Sequence, residues 1–375
     1  MSEVRATPKD HVYEGLEGVV VTATRLSHVD GEQGRLVIAG QDVERLAAHS
    51  DFESACALLW AASGEESTPA RVRTRLAEGR AAAFARLPQL GDAFRRADGM
   101  DALRAALAHL DEQATPEVIV AAAAVFTAAF WRLRQGLAPI APQPEQRHAE
   151  ALLAMLGLPV DVARARALDA YLVTVTDHGL NASTFAARVV ASTRSDLVSA
   201  VVAGVGALKG PLHGGAPGPV LEMLDAIGEP ARARDYLTAE LAAGRRIMGM
   251  GHRIYRQRDP RALVLERATS ELEQALRTQP SSTRTDDSVR ERLKLARAVE
   301  QSAEALLEAQ HPGRRLKANV EFYTAVLLSA LGISSPLFSA LFACARSAGW
   351  IAHYREQQHH GRLIRPSSLY VGVLP

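Results

Sequence analysis

The chain has 375 residues, with 43 basic against 42 acidic side chains, and 47% of it is hydrophobic. That balance gives no electrostatic argument for nucleic acid or a membrane surface, and the apolar content excludes wholesale disorder. Cys56 and Cys344 are too few and too far apart for a disulfide framework and fit a reducing, cytoplasmic setting.

The length suits one large domain plus a smaller one. The first fifteen residues are polar and charged and lack the basic-then-apolar order of a secretory signal. Residues 16–38 read as strand: Val19, Val20 and Val21 are β-branched, and Leu36, Val37 and Ile38 follow the turn-like Asp30-Gly31-Glu32. A small N-terminal hairpin or two short strands is expected. Beyond Gln41 the spacing becomes helical, with Phe52, Cys56, Leu59 and Trp60 on one face. Helices are predicted over 70–84, 100–112 and 116–136. The apolar run 118–131 is shorter than the roughly 20 residues of a membrane span and reads as a buried helix.

Residues 139–144 (PIAPQP) form a rigid connector. Helices are then expected over 145–156, 161–175, 183–193 and 196–207, the last two rich in small residues and closely packed. Amphipathic helices follow at 222–241 and 261–276, an exposed loop at 279–286, and a charged helix at 287–310. Apolar helices over 319–331 and 336–357 complete a mostly α chain with a small N-terminal β element. No repeat of fixed period is visible.

Three near-motifs carry little. Gly204-Val205-Gly206 lacks the preceding strand and the third glycine in register of a dinucleotide fingerprint, so close helix packing is the better reading. Gly249-Met250-Gly251 has the same weakness. His359-His360 has no further ligand at a metal-binding spacing and reads as a solvated helix end.

Four segments join ionisable residues to glycine, proline or a helix start. In Asp177-His178-Gly179-Leu180-Asn181-Ala182-Ser183, Asn181 and Ser183 suit helix caps, while His178 alone reads as a structural histidine. In Gly210-Pro211-Leu212-His213-Gly214-Gly215, the glycines leave the histidine open to close approach, although a plain tight turn explains them equally well. In Met248-Gly249-Met250-Gly251-His252-Arg253-Ile254-Tyr255, followed by Asp259-Pro260-Arg261-Ala262, glycines precede the histidine and free backbone amides for a ligand. In Asn319-Val320-Glu321-Phe322-Tyr323, Asn319 caps a helix and Glu321 lies in its first turn, where the dipole favours a carboxylate. Further on, Arg346 sits among Leu341, Phe342, Ala343, Cys344, Ala345, Ala348 and Trp350. A charge there needs an anion, either a ligand or a structural ion pair.

Taken in this order, and with the ending Ala348-Gly349-Trp350-Ile351-Ala352-His353 to Arg362-Leu363-Ile364-Arg365-Pro366, these segments resemble the citrate synthase family over essentially the whole chain. The resemblance implies a mostly helical homodimer. Residues 1–215 and 319–375 would form a large domain. Residues 216–318 would form a small one, inserted in it and closing over the active-site cleft. It implies condensation of acetyl-CoA with oxaloacetate, then hydrolysis of the citryl thioester, with no permanently bound cofactor and no metal. His213 would bond the thioester carbonyl, His252 would polarise the ketone, and Glu321 would take the methyl proton. His178, Arg261 and Arg346 would hold oxaloacetate, with Arg365 supplied by the other subunit. Asn181 and Asn319 would support the site, and the backbone of Ile247, Met248, Gly249 and Gly251 would meet the adenine.

The chemistry asks for the same residue types. A thioester methyl proton is a weak acid, so its removal needs a base and a donor where charge develops on the carbonyl oxygen. Oxaloacetate is a dianion, and forked guanidinium groups suit carboxylates. Arg245, Arg246, Arg314, Arg315 and Lys317 flank the catalytic segments and are candidates for CoA phosphates, solvated surface charge being the alternative. Three positions depart from the family's usual pattern: Glu321 in place of aspartate, Gly179 in place of glutamate, and Pro217 in place of asparagine. They leave open a 2-methylcitrate synthase using propionyl-CoA and a catalytically weak CoA-binding or regulatory relative.

Overall fold

Short polar side chains start most of the helices. In the computed structural model Asp42 accepts from the Glu44 amide and opens α1 (Val43–His49), and Asp51 does the same through Ser54 for α2 (Phe52–Ala62). Thr68 and Thr115, each followed by proline, start α3 (Pro69–Ala85) and α5 (Pro116–Arg134), with α4 (Gly99–Leu107) between them capped by Asp98. Then come α6 (His148–Leu156), α7 (Val162–Val175), α8 (Ala182–Ser192), α9 (Leu197–Leu208), α10 (Pro217–Ile227), α11 (Ala233–Ala242), α12 (Pro260–Arg277), α13 (Arg284–Gln310), α14 (Val320–Ala330) and α15 (Phe338–His360). The structure describes residues 12–16, 18–214, 217–252, 254–277, 284–314 and 316–373, without the side chains of 217 and 284–288.

The β element is one small antiparallel sheet. β1 (Ser27–Asp30) pairs with β2 (Arg35–Ile38), which pairs with β3 (Gln41–Asp42). Val19–Val21, expected as strand, lie outside it. Val20 is 90% exposed, and β-branching alone does not make a strand. The predicted helix over 222–241 is two helices, broken at Gly228, whose φ of 75° stops α10, and at Pro230. The helix at 100–112 ends early, at Leu107. The loop expected over 279–286 gives way to α13 from Arg284, and its earlier residues lie outside the described ones.

The core lies around α5 and α15. α5 is buried among α3, α4, α6 and α15, which accounts for its apolar length without a membrane. α15 also packs on α8 and α9, where Gly204 leaves no room for a side chain: a Cβ there would come within 2.7 Å of the Trp350 ring. α12 packs on α1, α7 and α14, and α13 packs on α10, α11, α12 and α14. The C-terminal end of α7, the start of α14 and the middle of α15 thus carry the ionisable segments singled out in the sequence.

Candidate active site

The loop before His252 is stitched to the start of α14. Gly251 donates to the Lys317 carbonyl (2.7 Å), Asn319 N–H donates to the Gly249 carbonyl (2.9 Å), and Asn319 Nδ2 donates to the Gly251 carbonyl (2.9 Å). Gly249 has a φ of 76°, and a Cβ there would lie 2.9 Å from that of Phe322, so glycine is required both for the turn and for the close approach. Asn319 also caps α14 by accepting from the amides of Glu321 and Phe322. One asparagine therefore fixes both the His252 loop and the helix that carries Glu321.

The tautomer of His252 follows from its neighbours. Its Nδ1 accepts from the amides of Ile254 (3.1 Å) and Tyr255 (3.2 Å), so the proton sits on Nε2. Burial, then the nearby Arg261 charge, pushes its pKa down to about 4, so the ring is a neutral donor at neutral pH. Arg261 Nη2 lies 3.3 Å from this Nε2. Two donors cannot satisfy one another; both are available to an acceptor placed between them.

Arg261 is held by Asp259, which is 1% exposed. Asp259 grips Nε at 3.0 Å and Nη2 at 2.8 Å, and also accepts from the amides of Arg261 (3.0 Å) and Val320 (3.1 Å). This bidentate pair offsets the burial that disfavours the guanidinium, and the charge of Arg261 is retained. His178, at the end of α7, completes a cluster of rings. Its Nε2 is 3.0 Å from the Tyr255 hydroxyl, and its ring centroid is 5.7 Å from that of His252. Burial, followed by the charges of Arg261 and Arg346, holds His178 well below the usual histidine range.

Arg346 is 1% exposed on α15. Its Nε donates to the Val175 carbonyl at 2.7 Å and its guanidinium lies over Phe342, but Nη2 is buried without a partner among the described residues. Burial lowers its pKa to about 10, which leaves it cationic at neutral pH. A buried cation with an orphaned donor is costly unless an anion meets it. The charge of Asp177 acts on Arg346, while Nη2 stays without a hydrogen-bond partner among the described residues.

His213 sits in the turn after α9, against the start of α8. Its Nε2 accepts the Ser183 amide (3.3 Å) and lies 2.8 Å from Ser183 Oγ. That hydroxyl donates to Asn181 Oδ1 (2.9 Å) and accepts from Trp350 Nε1 (3.2 Å). Burial first, then Arg346, brings the His213 pKa to about 4. Glu321 moves the other way: burial raises its carboxyl to about 7, with Arg261 lowering it and Asp259 raising it further. The site thus combines two neutral imidazole donors, a carboxyl balanced near neutrality and two buried arginines.

The remaining predicted residues stand apart from this set. Arg365 is exposed in the extended segment after α15. Ile247 is buried and Met248 half-buried in the loop before His252. Arg245 is paired with Glu240 (2.6 Å) and Lys317 with Glu304 (2.5 Å), while Arg246 and Arg314 are exposed. Arg315, Arg253, Gly215 and Ala216 lie outside the described residues. Sequence reasoning missed Asp177, Ser183, Tyr255 and Asp259 as parts of the site, although all four lie inside the segments it singled out.

A family model described as "Citrate synthase, C-terminal domain" matches residues 15–367. The chain belongs to the citrate synthase family. Among curated relatives of the family, the citrate synthase of Acidithiobacillus ferridurans is 34% identical over 380 residues, covering 96% of this chain and 95% of that one. The 2-methylcitrate synthase of Mycobacterium tuberculosis is also 34% identical, over 389 residues, covering 97% and 92%. Among solved structures, citrate synthase from Thermotoga maritima superposes with a TM-score of 0.81 at 32% identity, over 97% of both chains. A ternary complex of the Thermoplasma acidophilum citrate synthase with carboxymethyl coenzyme A and oxaloacetate gives a TM-score of 0.81 at 26% identity, again over 97% of both chains. The family's activity makes this chain one of the acyltransferase-type condensing enzymes.

Proposed function

We propose that the chain is a citrate synthase that joins the methyl carbon of acetyl-CoA to the ketone carbon of oxaloacetate. The observation that carries this reading is the pair of neutral imidazoles, His213 and His252, the second a donor through Nε2, with the carboxyl of Glu321 held near pKa 7. Glu321 removes the methyl proton while the neutral His213 ring donates to the charge on the thioester oxygen. The resulting enol carbon attacks the oxaloacetate ketone, whose oxygen His252 Nε2–H and Arg261 polarise. Water then cleaves the citryl thioester, releasing CoA thiol and citrate. A glutamate raised to about 7 is a stronger base than an ordinary carboxylate and is still partly ionised at pH 7.

Arg346, with its unpartnered Nη2, and His178 hold the oxaloacetate carboxylates together with Arg261. Arg365, exposed in its own subunit, completes the site of a second copy in a homodimer. Asn181 and Asn319 act through Ser183 and the His252 loop. Residues 216–318 form the smaller domain, a division supported by the packing of α13 on α10, α11 and α12. Its closure excludes water from the enol step. Backbone from Ile247 to Gly251 meets the adenine of CoA. Among the rim cations, Arg246 and Arg314 are the stronger phosphate candidates, since Arg245 and Lys317 already have acidic partners. The reaction belongs to the tricarboxylic acid cycle and the setting is the cytoplasm.

A second reading, 2-methylcitrate synthase acting on propionyl-CoA, is favoured by the equal identity to a relative of that name. Thiol release from acetyl-CoA and from propionyl-CoA, each with oxaloacetate, separates the two. The leading reading expects faster turnover with acetyl-CoA. A large preference for propionyl-CoA gives the second reading, and no thiol release with either points to a catalytically weak CoA-binding relative.

A further inference from the structure

We propose that His353 is a positioning residue for oxaloacetate, holding the Asp177 carboxylate away from Arg346 so that the free end of that guanidinium stays open to the substrate. This deepens the functional reading above and rests on it.

Arg346, Gly349 and His353 are spaced three and four residues apart and share one face of α15. That face lies against Thr176 and Asp177. A Cβ on Gly349 would collide with the Thr176 carbonyl and lie 3.0 Å from Asp177 Oδ1, so the carboxylate sits at the level of Gly349. A cation lies one turn before it and a histidine one turn after it, so that, besides Ser27, the Asp177 carboxylate has two possible partners on α15.

It takes the histidine. The distances from His353 Nε2 to the two Asp177 oxygens are 3.2 and 3.3 Å, and both side chains are fully buried. Asp177 and Arg346 are close enough for each to perturb the other's charge, but the guanidinium spends its Nε on Val175 and leaves Nη2 without a partner. An ion pair with Asp177 would satisfy that donor and occupy the position a substrate carboxylate needs.

The histidine is itself locked. Its Nδ1 lies 2.7 Å from Arg188 Nη1; arginine only donates, so Nδ1 accepts and the proton is on Nε2, directed at Asp177. Arg188 in turn is fixed by Glu356 (2.7 Å) and Gln357 (3.2 Å), and Glu356 accepts the Arg25 amide at 2.8 Å. A five-membered buried ladder therefore fixes one proton on one nitrogen. Packing alone needs no such arrangement, since buried ion pairs are often replaced by apolar side chains without loss of stability.

The test measures oxaloacetate affinity by calorimetry, together with KM and kcat, for wild type, His353→Leu, His353→Gln and the double variant Asp177→Asn/His353→Leu. His353→Leu frees Asp177 to pair with Arg346, and the expected result is an affinity for oxaloacetate weaker by on the order of tenfold with kcat nearly retained. His353→Gln keeps a donor and stays close to wild type. The double variant recovers most of the affinity, because an amide cannot neutralise Arg346. If His353→Leu does not fold, His353→Asn, too short to reach Asp177, carries the same expectation. Unchanged affinity in the single variant overturns the proposal, and so does a double variant as weak as the single, which would mean His353 acts only through packing. Wild-type protein that neither binds oxaloacetate nor releases thiol overturns the functional reading itself, and this inference with it.

Discussion

The two ends of the candidate site are built differently. At the proposed oxaloacetate end, Arg261 and Arg346 are buried, with one guanidinium clamped by Asp259 and the other left with a nitrogen that has no partner among the described residues. At the proposed CoA end the cations are on the surface, and two of them, Arg245 and Lys317, already have acidic partners. A buried unpaired donor costs free energy that only a ligand or solvent-filled space can return, whereas an exposed arginine costs almost nothing and explains itself. The contrast separates a site whose substrate is written into the core from a rim where function is distributed and weakly marked.

The comparison breaks most visibly at the base. Glu321→Gln is expected to lower kcat by on the order of a thousandfold while oxaloacetate still binds, because the amide cannot take a proton. Calorimetry showing an equal loss of oxaloacetate binding would instead make Glu321 structural. Next in size is Arg346→Met. Oxaloacetate KM is expected to rise by about two orders of magnitude, since a carboxylate loses a charge-assisted partner in a dry site. The thermal midpoint should stay level or rise, because the substitution removes an uncompensated buried charge. A clear fall in the midpoint, without a change in KM, would assign Arg346 to the scaffold.

The pH profile sharpens the same contrast. Glu321 is raised from its ordinary value to about 7, so the fraction able to act as base grows as pH rises through 7. His213 and His252, each lowered to about 4, stay neutral throughout that range and add no inflection. kcat/KM should therefore rise with pH and level off above about 7, as a single titration. A profile flat from pH 5 to 8 would contradict this placement of the base. The smallest effect belongs to the rim: Arg246→Ala and Arg314→Ala should each raise the acyl-CoA KM by only about threefold, less at high salt, with oxaloacetate kinetics unchanged.

Much of this was legible in the sequence, for identifiable reasons. Asp51, Thr68, Thr115 and Asp161 start helices because their side chains accept from nearby amides, a local property that a linear pattern preserves. Arg346 stood out because a charge in an apolar run is costly. Strand character at Val19–Val21 was misread because pairing needs a neighbouring chain, which composition does not supply. The roles of Ser183, Tyr255 and Asp259 were hidden for a similar reason. Ser183 meets the His213 ring from another part of the chain, at the start of α8, and Asp259 joins Arg261 to the first amide of α14. The contact of His353 with Asp177 likewise depends on how α15 lies against the end of α7, which helical spacing alone does not determine.

The central claim is that buried arginines and neutral histidines around Glu321 condense a short acyl-CoA with oxaloacetate. The most direct test is the rate of free-thiol release by purified protein given oxaloacetate with acetyl-CoA, compared with propionyl-CoA and with acyl-CoA alone. The account predicts thiol release that depends on oxaloacetate and is faster with acetyl-CoA. Release that ignores oxaloacetate, or no release with either thioester, would contradict it.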